Sequence, residues 1–341
     1  MKKVIVLGRG VVGASVAWRL AQAGYQVTVV FSERQNCASF AAHGVLCAQG
    51  HIKPRVSLFS EKIKAIEDFP LLLQELEQLS GDKIRSYWSG VREIFFSEKE
   101  RIKFLEEKYQ RGFLGAFKLE PQQECQTGVI KPHGSSLLYP QAGWFCARDF
   151  MTSLYSAQKK LGVKFLEAHA LSFKEHNQKV ILRLQGQPSL SADYLVLASG
   201  AGSQELLDMS GFNYQGLRYY YGETLLAKTK FKSYGAWSYG GLRLARHGHD
   251  LFVGSSNQRL RNPSDIVEET LWQELQSRSQ SVLQSSFTNR VKLSGIRVAN
   301  LKRDPIFLPL KKNIIFLSGF HKSGFLLADL YAKKLCSFWK R

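Results

Sequence analysis

The stretch from Lys2 to Glu33, KKVIVLGRGVVGASVAWRLAQAGYQVTVVFSE, constrains the fold more than any other part of the chain. A short β-rich run leads into Gly8-Arg9-Gly10-Val11-Val12-Gly13. The helical pattern that follows runs to Gly24, and YQVTVV then reads as a second strand. In that strand, turn, helix, strand order a G-x-G-x-x-G run is a dinucleotide clamp: turn amides and the helix N-terminus receive a pyrophosphate. Small Ala14, Ser15 and Ala17 let the helix lie close on the sheet. Such clamps usually end the second strand with an acid that holds ribose hydroxyls. Here Phe31 ends it, and Glu33 stands two residues later. Either Glu33 swings in to the ribose, or it is a surface residue and the ribose is held through backbone or Ser32.

Farther along, 60–81 and 97–112 read as charged amphipathic helices, the first interrupted by Pro70 and both expected to cover a second domain. ARDFMTSLYSAQKKLG is a helix with Asp149 near its start and Lys159 and Lys160 near its end, as the helix dipole favours. VKFLEA, KVILRL and DYLVLASG return the chain to the α/β sheet. Aromatic and β-branched runs with glycine breaks between Tyr219 and Asn257 predict an antiparallel sheet. A helix over 265–279, a basic strand near Val291, the strand NIIFLSG and a last helix over 323–339 complete the pattern.

At 341 residues there is room for two domains, and no apolar run is long enough to cross a bilayer. Five cysteines, Cys37, Cys47, Cys125, Cys146 and Cys336, contain no C-x-x-C pair, so neither a disulfide framework nor a metal site is indicated, and a reducing cytoplasm is expected. Forty-seven Lys and Arg against 28 Asp and Glu give a net charge of +19. A field of that size attracts polyanions such as RNA. It also serves solubility, and the cations are dispersed, from Lys53 and Arg55 through Lys228, Lys230, Lys232, Arg243, Arg246, Arg259 and Arg261 to Lys302, Arg303, Lys311 and Lys312.

Four separated stretches belong to one pattern: the glycine turn; ASFAAHG over 38–44; YLVLASGAGS over 194–203; and GFHKSGFLLAD over 319–329. Together they resemble the D-amino-acid oxidase superfamily of FAD enzymes, especially its glycine-oxidase-like branch, over nearly the whole chain. The resemblance implies an α/β fold, with a Rossmann-like FAD-binding domain assembled from 1–55, 142–212 and 295–341. An antiparallel-sheet substrate domain from 56–141 and 213–294 is inserted between those segments. It implies non-covalent FAD held by Gly8, Gly10, Val11, Val12 and Gly13, by Ser39, Ala42, His43 and Gly44, by Ala170 beside the adenine, and by Ser199 and Gly200. Gly319, Phe320, His321, Lys322, Ser323 and Gly324 are implied to turn the last helix toward the flavin, and Glu33 is the candidate ribose contact. Arg297, in GIRVANLKRDP, stands where relatives bind the substrate carboxylate, with a structural ion pair to Asp304 as the alternative. Lys322 assists as a point charge or faces solvent, and His43 transfers a proton or packs locally. Tyr219, Tyr220, Tyr221 and Tyr239 line the substrate side or fill the core.

The reaction so implied is oxidation of the C–N bond of an amine beside a carboxylate. A free amino acid fits. A glycine unit carried on tRNA also fits, since LYPQAGWFCARDF, VGSSNQRLRNPSD and the missing acid resemble the oxidase domain of the MnmC tRNA-modifying enzymes. A quinone-linked dehydrogenase with an amphipathic end LYAKKLCSFWKR, and an RNA-binding flavoprotein without turnover, are the further alternatives. No stable membrane insertion is expected.

Overall fold

The computed structural model describes residues 1–32, 37–47, 58–110, 117–120, 130–131, 134–284, 287–302 and 304–340. Its organising element is a six-stranded sheet. In spatial order its strands are Ile306–Lys311, Ile314–Ser318, Tyr194–Leu197, Lys3–Leu7, Gln26–Phe31 and Lys164–Glu167, all parallel except the first. Side chains alternate across it, as the two-residue period of a strand requires. Val4, Val6, Val27, Val29 and Val196 pack on Val16, Ala17 and Leu20 of the first helix, Val11–Gln22, and on Leu327, Tyr331 and Leu335 of the last, Gly324–Lys340. Ile5, Leu7, Val30, Leu195 and Leu197 face the other way, onto Leu206, Leu207 and a small antiparallel sheet. That small sheet is a meander of Ala170–His176, Lys179–Leu184 and Gln187–Ala192. KVILRL therefore leaves the parallel sheet it was expected to join. Asn177 and Gln178, both at positive φ, turn the chain back on itself within two residues.

The helix Phe59–Ser80 differs from expectation twice. It runs unbroken through Pro70. It also packs beside the parallel sheet, with Ile66, Phe69, Leu73 and Leu76 against Trp18, Phe145, Phe150 and Leu154. The apolar stripe continues in phase across Pro70, and burying it outweighs the roughly 3 kcal/mol that an interior proline costs. Arg19 fixes the arrangement: its Nε donates to Asp329 of the last helix at 2.5 Å, its Nη2 to Glu75 at 2.8 Å, and its Nη1 to Glu75 and Gln22. The helix Ala147–Lys160 joins the same layer.

The second large sheet has seven strands and is dominated by Leu217–Tyr239, which pairs with Leu242–Gly254 on one side and Thr288–Asn300 over most of its length. Thr288–Asn300 runs continuously through residue 295, where the sequence reading placed a domain boundary, because its ladder to Leu217–Glu223 continues to Asn300. Gly240 and Gly241, both at positive φ, make the two-residue turn of the hairpin. A register break between Lys228 and Ser233, opposite Gly248, bends that hairpin around Trp144. The Trp144 ring lies 5.7 Å from His247 and 5.0 Å from Phe252. The helix Glu98–Gln110 lies against this sheet through Phe95 and Phe104, and Thr270–Val282 starts five residues later than expected, because the Asp265 carboxylate is occupied with the Arg261 and Asn262 amides. The last helix is docked along its length, with Trp339 against Tyr194, so LYAKKLCSFWKR is not a free amphipathic segment. Among the described residues no helix is long and apolar enough to cross a membrane.

Candidate functional site

All four motif stretches converge on the start of the first helix. A Cβ on Gly8, at φ +103°, would lie 2.4 Å from the Ala198 carbonyl oxygen, and one on Gly13 would lie 2.0 Å from that of Gly8. Only glycine permits this approach of turn, helix and strand end. Gly10 is the helix N-cap in an extended conformation and offers no capping side chain. Instead the Val11 N–H donates to the Ser39 hydroxyl at 2.9 Å, which stitches ASFAAHG to the turn. Val12 and Ala42 pack in the same cluster beside this junction. Gly44, at φ +79°, lets the chain pass the Phe145 carbonyl, where a Cβ would stand 1.8 Å away. Ser199 is hydrogen-bonded to Ser203, and Gly200 faces open space.

At the end of the second strand the Arg9 guanidinium lies over the Phe31 ring, 3.9 Å from its centre. A cation over an aromatic face thus occupies the place where an acid was expected. Ala168 donates its N–H to the Phe31 carbonyl at 2.8 Å, which brings Ala170 alongside. Glu33 lies outside the described residues.

The second centre of the site is a cluster of cations. Arg297, on Thr288–Asn300, donates from Nη1 to Ser255 Oγ at 3.2 Å and from Nη2 to the Ser256 carbonyl and Asn257 Oδ1, both at 3.0 Å. A Cβ on Gly222, across the ladder, would sit 2.3 Å from Nη2, so the glycine makes the room for this arginine. Its Nε is buried with no hydrogen-bond partner, and no carboxylate pairs with it among the described residues. The anticipated ion pair with Asp304 is absent. Burial lowers Arg297 to about 10.

Lys322 precedes the last helix and is exposed, yet burial, Arg297 and Arg243 together lower it to about 8. His43 sits against Gly254 and Thr224, with the Val45 N–H donating to its Nδ1 at 3.1 Å. That bond requires an unprotonated Nδ1. Burial, with Arg243, Arg297 and Lys322 nearby, lowers His43 to about 3. The ring is therefore neutral with its proton on Nε2, and it is unsuited to accept a proton near neutral pH.

The family model of the FAD dependent oxidoreductases called DAO matches residues 3–337. The chain belongs to the DAO family. Glycine oxidase of Bacillus licheniformis is 25% identical over 349 residues, covering 95% of this chain and 89% of that protein. The tRNA 5-methylaminomethyl-2-thiouridine biosynthesis bifunctional protein MnmC of Cupriavidus necator is 25% identical over 242 residues, 69% of this chain and 36% of that protein. The crystal structure of glycine oxidase from Geobacillus kaustophilus superposes with a TM-score of 0.85 at 20% identity, covering 100% of this chain and 95% of that one. This DAO protein is an FAD-dependent oxidoreductase, with a Rossmann FAD-binding sheet and a second, antiparallel sheet.

The residues present fit the cofactor. Gly10 leaves the first helix N-terminus without a side chain of its own over it, and its first turn holds no acid. The space over Gly200 is open. The last helix also begins without an acid, at Gly324, where a Cβ would be 3.3 Å from Val11. Two positive helix ends thus stand side by side. Gly319, at φ +76°, and Ser323 shape the turn into that helix, while Phe320 is buried against Tyr331 in the core. The His321 ring lies 4.8 Å from that of Tyr220, the cross-strand neighbour of Arg297.

Of the four tyrosines, only Tyr220 is on the side of Arg297. Tyr219 and Tyr221 are core. Tyr239 is on the opposite face of its strand, edge-on to Phe96 and 3.3 Å from Glu100, because side chains alternate along the strand and it is an odd number of residues from Tyr220. Sequence reasoning missed Ser255, Asn257 and Arg243. The first two follow a glycine break after a strand, a weak signal of a loop that holds a side chain, whereas Arg243 carries none.

Proposed function

We propose that this protein oxidises the C–N bond of an amine beside a carboxylate, with Arg297 holding the carboxylate. The observation that carries the reading is Arg297 itself. It is a largely buried guanidinium whose two outer nitrogens are fixed by Ser255, Ser256 and Asn257, and among the described residues its Nε has no hydrogen-bond partner and no carboxylate pairs with it. A buried, oriented arginine with an open donor suits capture of an anion. The similarity to a protein named glycine oxidase supports an amino-acid-like ligand.

Bound FAD supplies the acceptor for the hydride leaving the carbon beside nitrogen. Gly8, Gly10, Val11, Gly13, Ser39, Ala42, Gly44 and Gly200 would hold it, with Lys322 and the start of the last helix near its reactive end. The chain supplies orientation. Arg297 fixes the carboxylate, Tyr220 walls the ligand, and Lys322 adds positive charge. His43 contributes a hydrogen-bond donor at Nε2. His43, lowered to about 3 and with its Nδ1 taken by the Val45 N–H, is not the proton acceptor, and the amine reacts in its neutral form after losing its proton to water.

A second reading, a glycine adduct carried on tRNA, is favoured by the +19 charge and by the similarity to MnmC. Anaerobic bleaching of the flavin tests both. Glycine, sarcosine or D-alanine should bleach it, and Arg297→Ala should raise the half-saturating concentration at least a hundredfold. Bleaching by carboxymethylaminomethyl-uridine tRNA alone would install the second reading, and bleaching by neither would sink the proposal.

A further inference from the structure

The cluster of cations around His43 carries one more charge than capture of a single carboxylate uses. Arg243 lies on Leu242–Gly254, 5% exposed, opposite Ser238, which in turn pairs with Glu93. The bend of the hairpin brings this end of the strand to the same side as Phe252 and Gly254, so Arg243 and Ala245 share a face with the backbone on which His43 rests. Among the described residues its acidic neighbours are the Cys47 thiol and Glu93, whose Oε2 stands 3.7 Å from Nη1. That is too long for a hydrogen bond, and both atoms are buried without a hydrogen-bond partner.

Charge counting sharpens the point. Arg297 and Arg243 each lower Lys322, and all three lower His43. The one carboxylate paired with any of them among the described residues is Glu93, which burial raises to about 7, so even this acid is incompletely ionised near neutral pH. Burying uncompensated charge costs several kcal/mol per ion. A substrate α-carboxylate at Arg297 offsets one charge and leaves Arg243 unanswered. This rests on the carboxylate reading above.

We propose that Arg243 receives a second carboxylate, so that the preferred substrate is a dicarboxylic amine, such as an N-carboxymethyl amino acid, with one acid at Arg297 and the other at Arg243. The depth of Arg243 favours a small molecule, because a phosphate of a folded RNA cannot reach a side chain this enclosed.

The purified holoenzyme tests this without mutation. Oxydiacetate and methoxyacetate are non-oxidisable ethers that differ by one carboxylate, and their binding is read from the perturbed flavin absorbance. Oxydiacetate should bind at least tenfold more tightly. Equal affinities overturn the proposal. Turnover gives the second readout: the ratio of kcat/KM for iminodiacetate to that for sarcosine should exceed ten, and it should fall at least tenfold in Arg243→Met. In Glu93→Gln, where the competing acid is gone, the ratio should rise. An Arg243 that only packs against Glu93 would leave the ratio unchanged in both variants, and that result also overturns it. Should Arg243→Met fail to fold, the Glu93 variant and the ether pair decide alone. If sarcosine bleaches the flavin but the dicarboxylates show no advantage, this inference fails while the proposed function stands. If no carboxylated amine bleaches it, the proposed function fails first. Bleaching by adduct-bearing tRNA with none by iminodiacetate overturns the small-molecule assignment.

Discussion

Lys322 is the residue whose titration should be visible in ordinary buffers. Its ammonium is lowered to about 8, first by burial and then by Arg297 and Arg243. The charged form exists below that value and is lost as pH rises through it, so the site sheds one positive charge near pH 8. A carboxylate ligand such as acetate stays ionised across this range. Its affinity, followed by flavin absorbance, should therefore be level from pH 6 to 7 and fall severalfold between pH 7.5 and 9. Lys322→Gln should bind more weakly at pH 6.5 and show no step. A step that persists in the variant would assign it to another group. Much of this chemistry was legible early: the glycine turn, Ser39, Gly44, Arg297 and Lys322 are recognisable because backbone approach and anion capture restrict which residues serve. The role of His43 was not, since its protonation is set by burial, by the Val45 N–H and by three cations, two from distant strands and Lys322 from the turn before the last helix.

At the scale of elements, the helices packed on the parallel sheet depend on one buried cation. Arg19 joins the first helix to Glu75 of Phe59–Ser80 and Asp329 of the last helix, and its guanidinium also lies 3.8 Å from the Trp18 ring centre. Arg19→Met keeps the stem and removes the charge, leaving Asp329 with Lys333 as its remaining partner, at 2.8 Å, and Glu75 without its guanidinium. The expected loss is on the order of 3 kcal/mol, the lower end for breaking a buried pair because Glu75 remains partly solvated. Thermal unfolding should move down by several degrees, and FAD should be released more readily, because the same helices present Val11 and Gly324 to the clamp. An unchanged melting temperature would show the three-way contact to be dispensable. The sequence marked every one of these helices but mistook the partner of Phe59–Ser80, since an apolar stripe records that a face is buried and not what buries it. Arg243 escaped for a geometric reason. Alternation holds along Leu217–Tyr239, yet along Leu242–Gly254 the inward face switches at the bend. Two positions an odd number of residues apart then share one side.

For the whole molecule the open question is what the +19 charge does. The site cations and the surface cations are different populations. Arg243, Arg297 and Lys322 gather around His43, while Arg290 and Lys292 on the exposed end of Thr288–Asn300, with Lys302, Lys311 and Lys312, are spread over the surface. A dispersed field attracts a polyanion without orienting it, and its effect falls steeply with salt. Unmodified tRNA is therefore expected to bind at 50 mM salt and to lose at least tenfold in affinity by 200 mM, as measured by fluorescence anisotropy of labelled tRNA. Enclosed charges are screened far less, so kcat/KM for a small carboxylated amine should change less than threefold over the same range. Under the small-molecule reading the two events are independent, and saturating tRNA at 50 mM salt should leave the KM for that amine unchanged. Competitive inhibition by unmodified tRNA would show instead that the RNA covers the approach to the cation cluster, and it would move the tRNA-borne substrate ahead of the free amine.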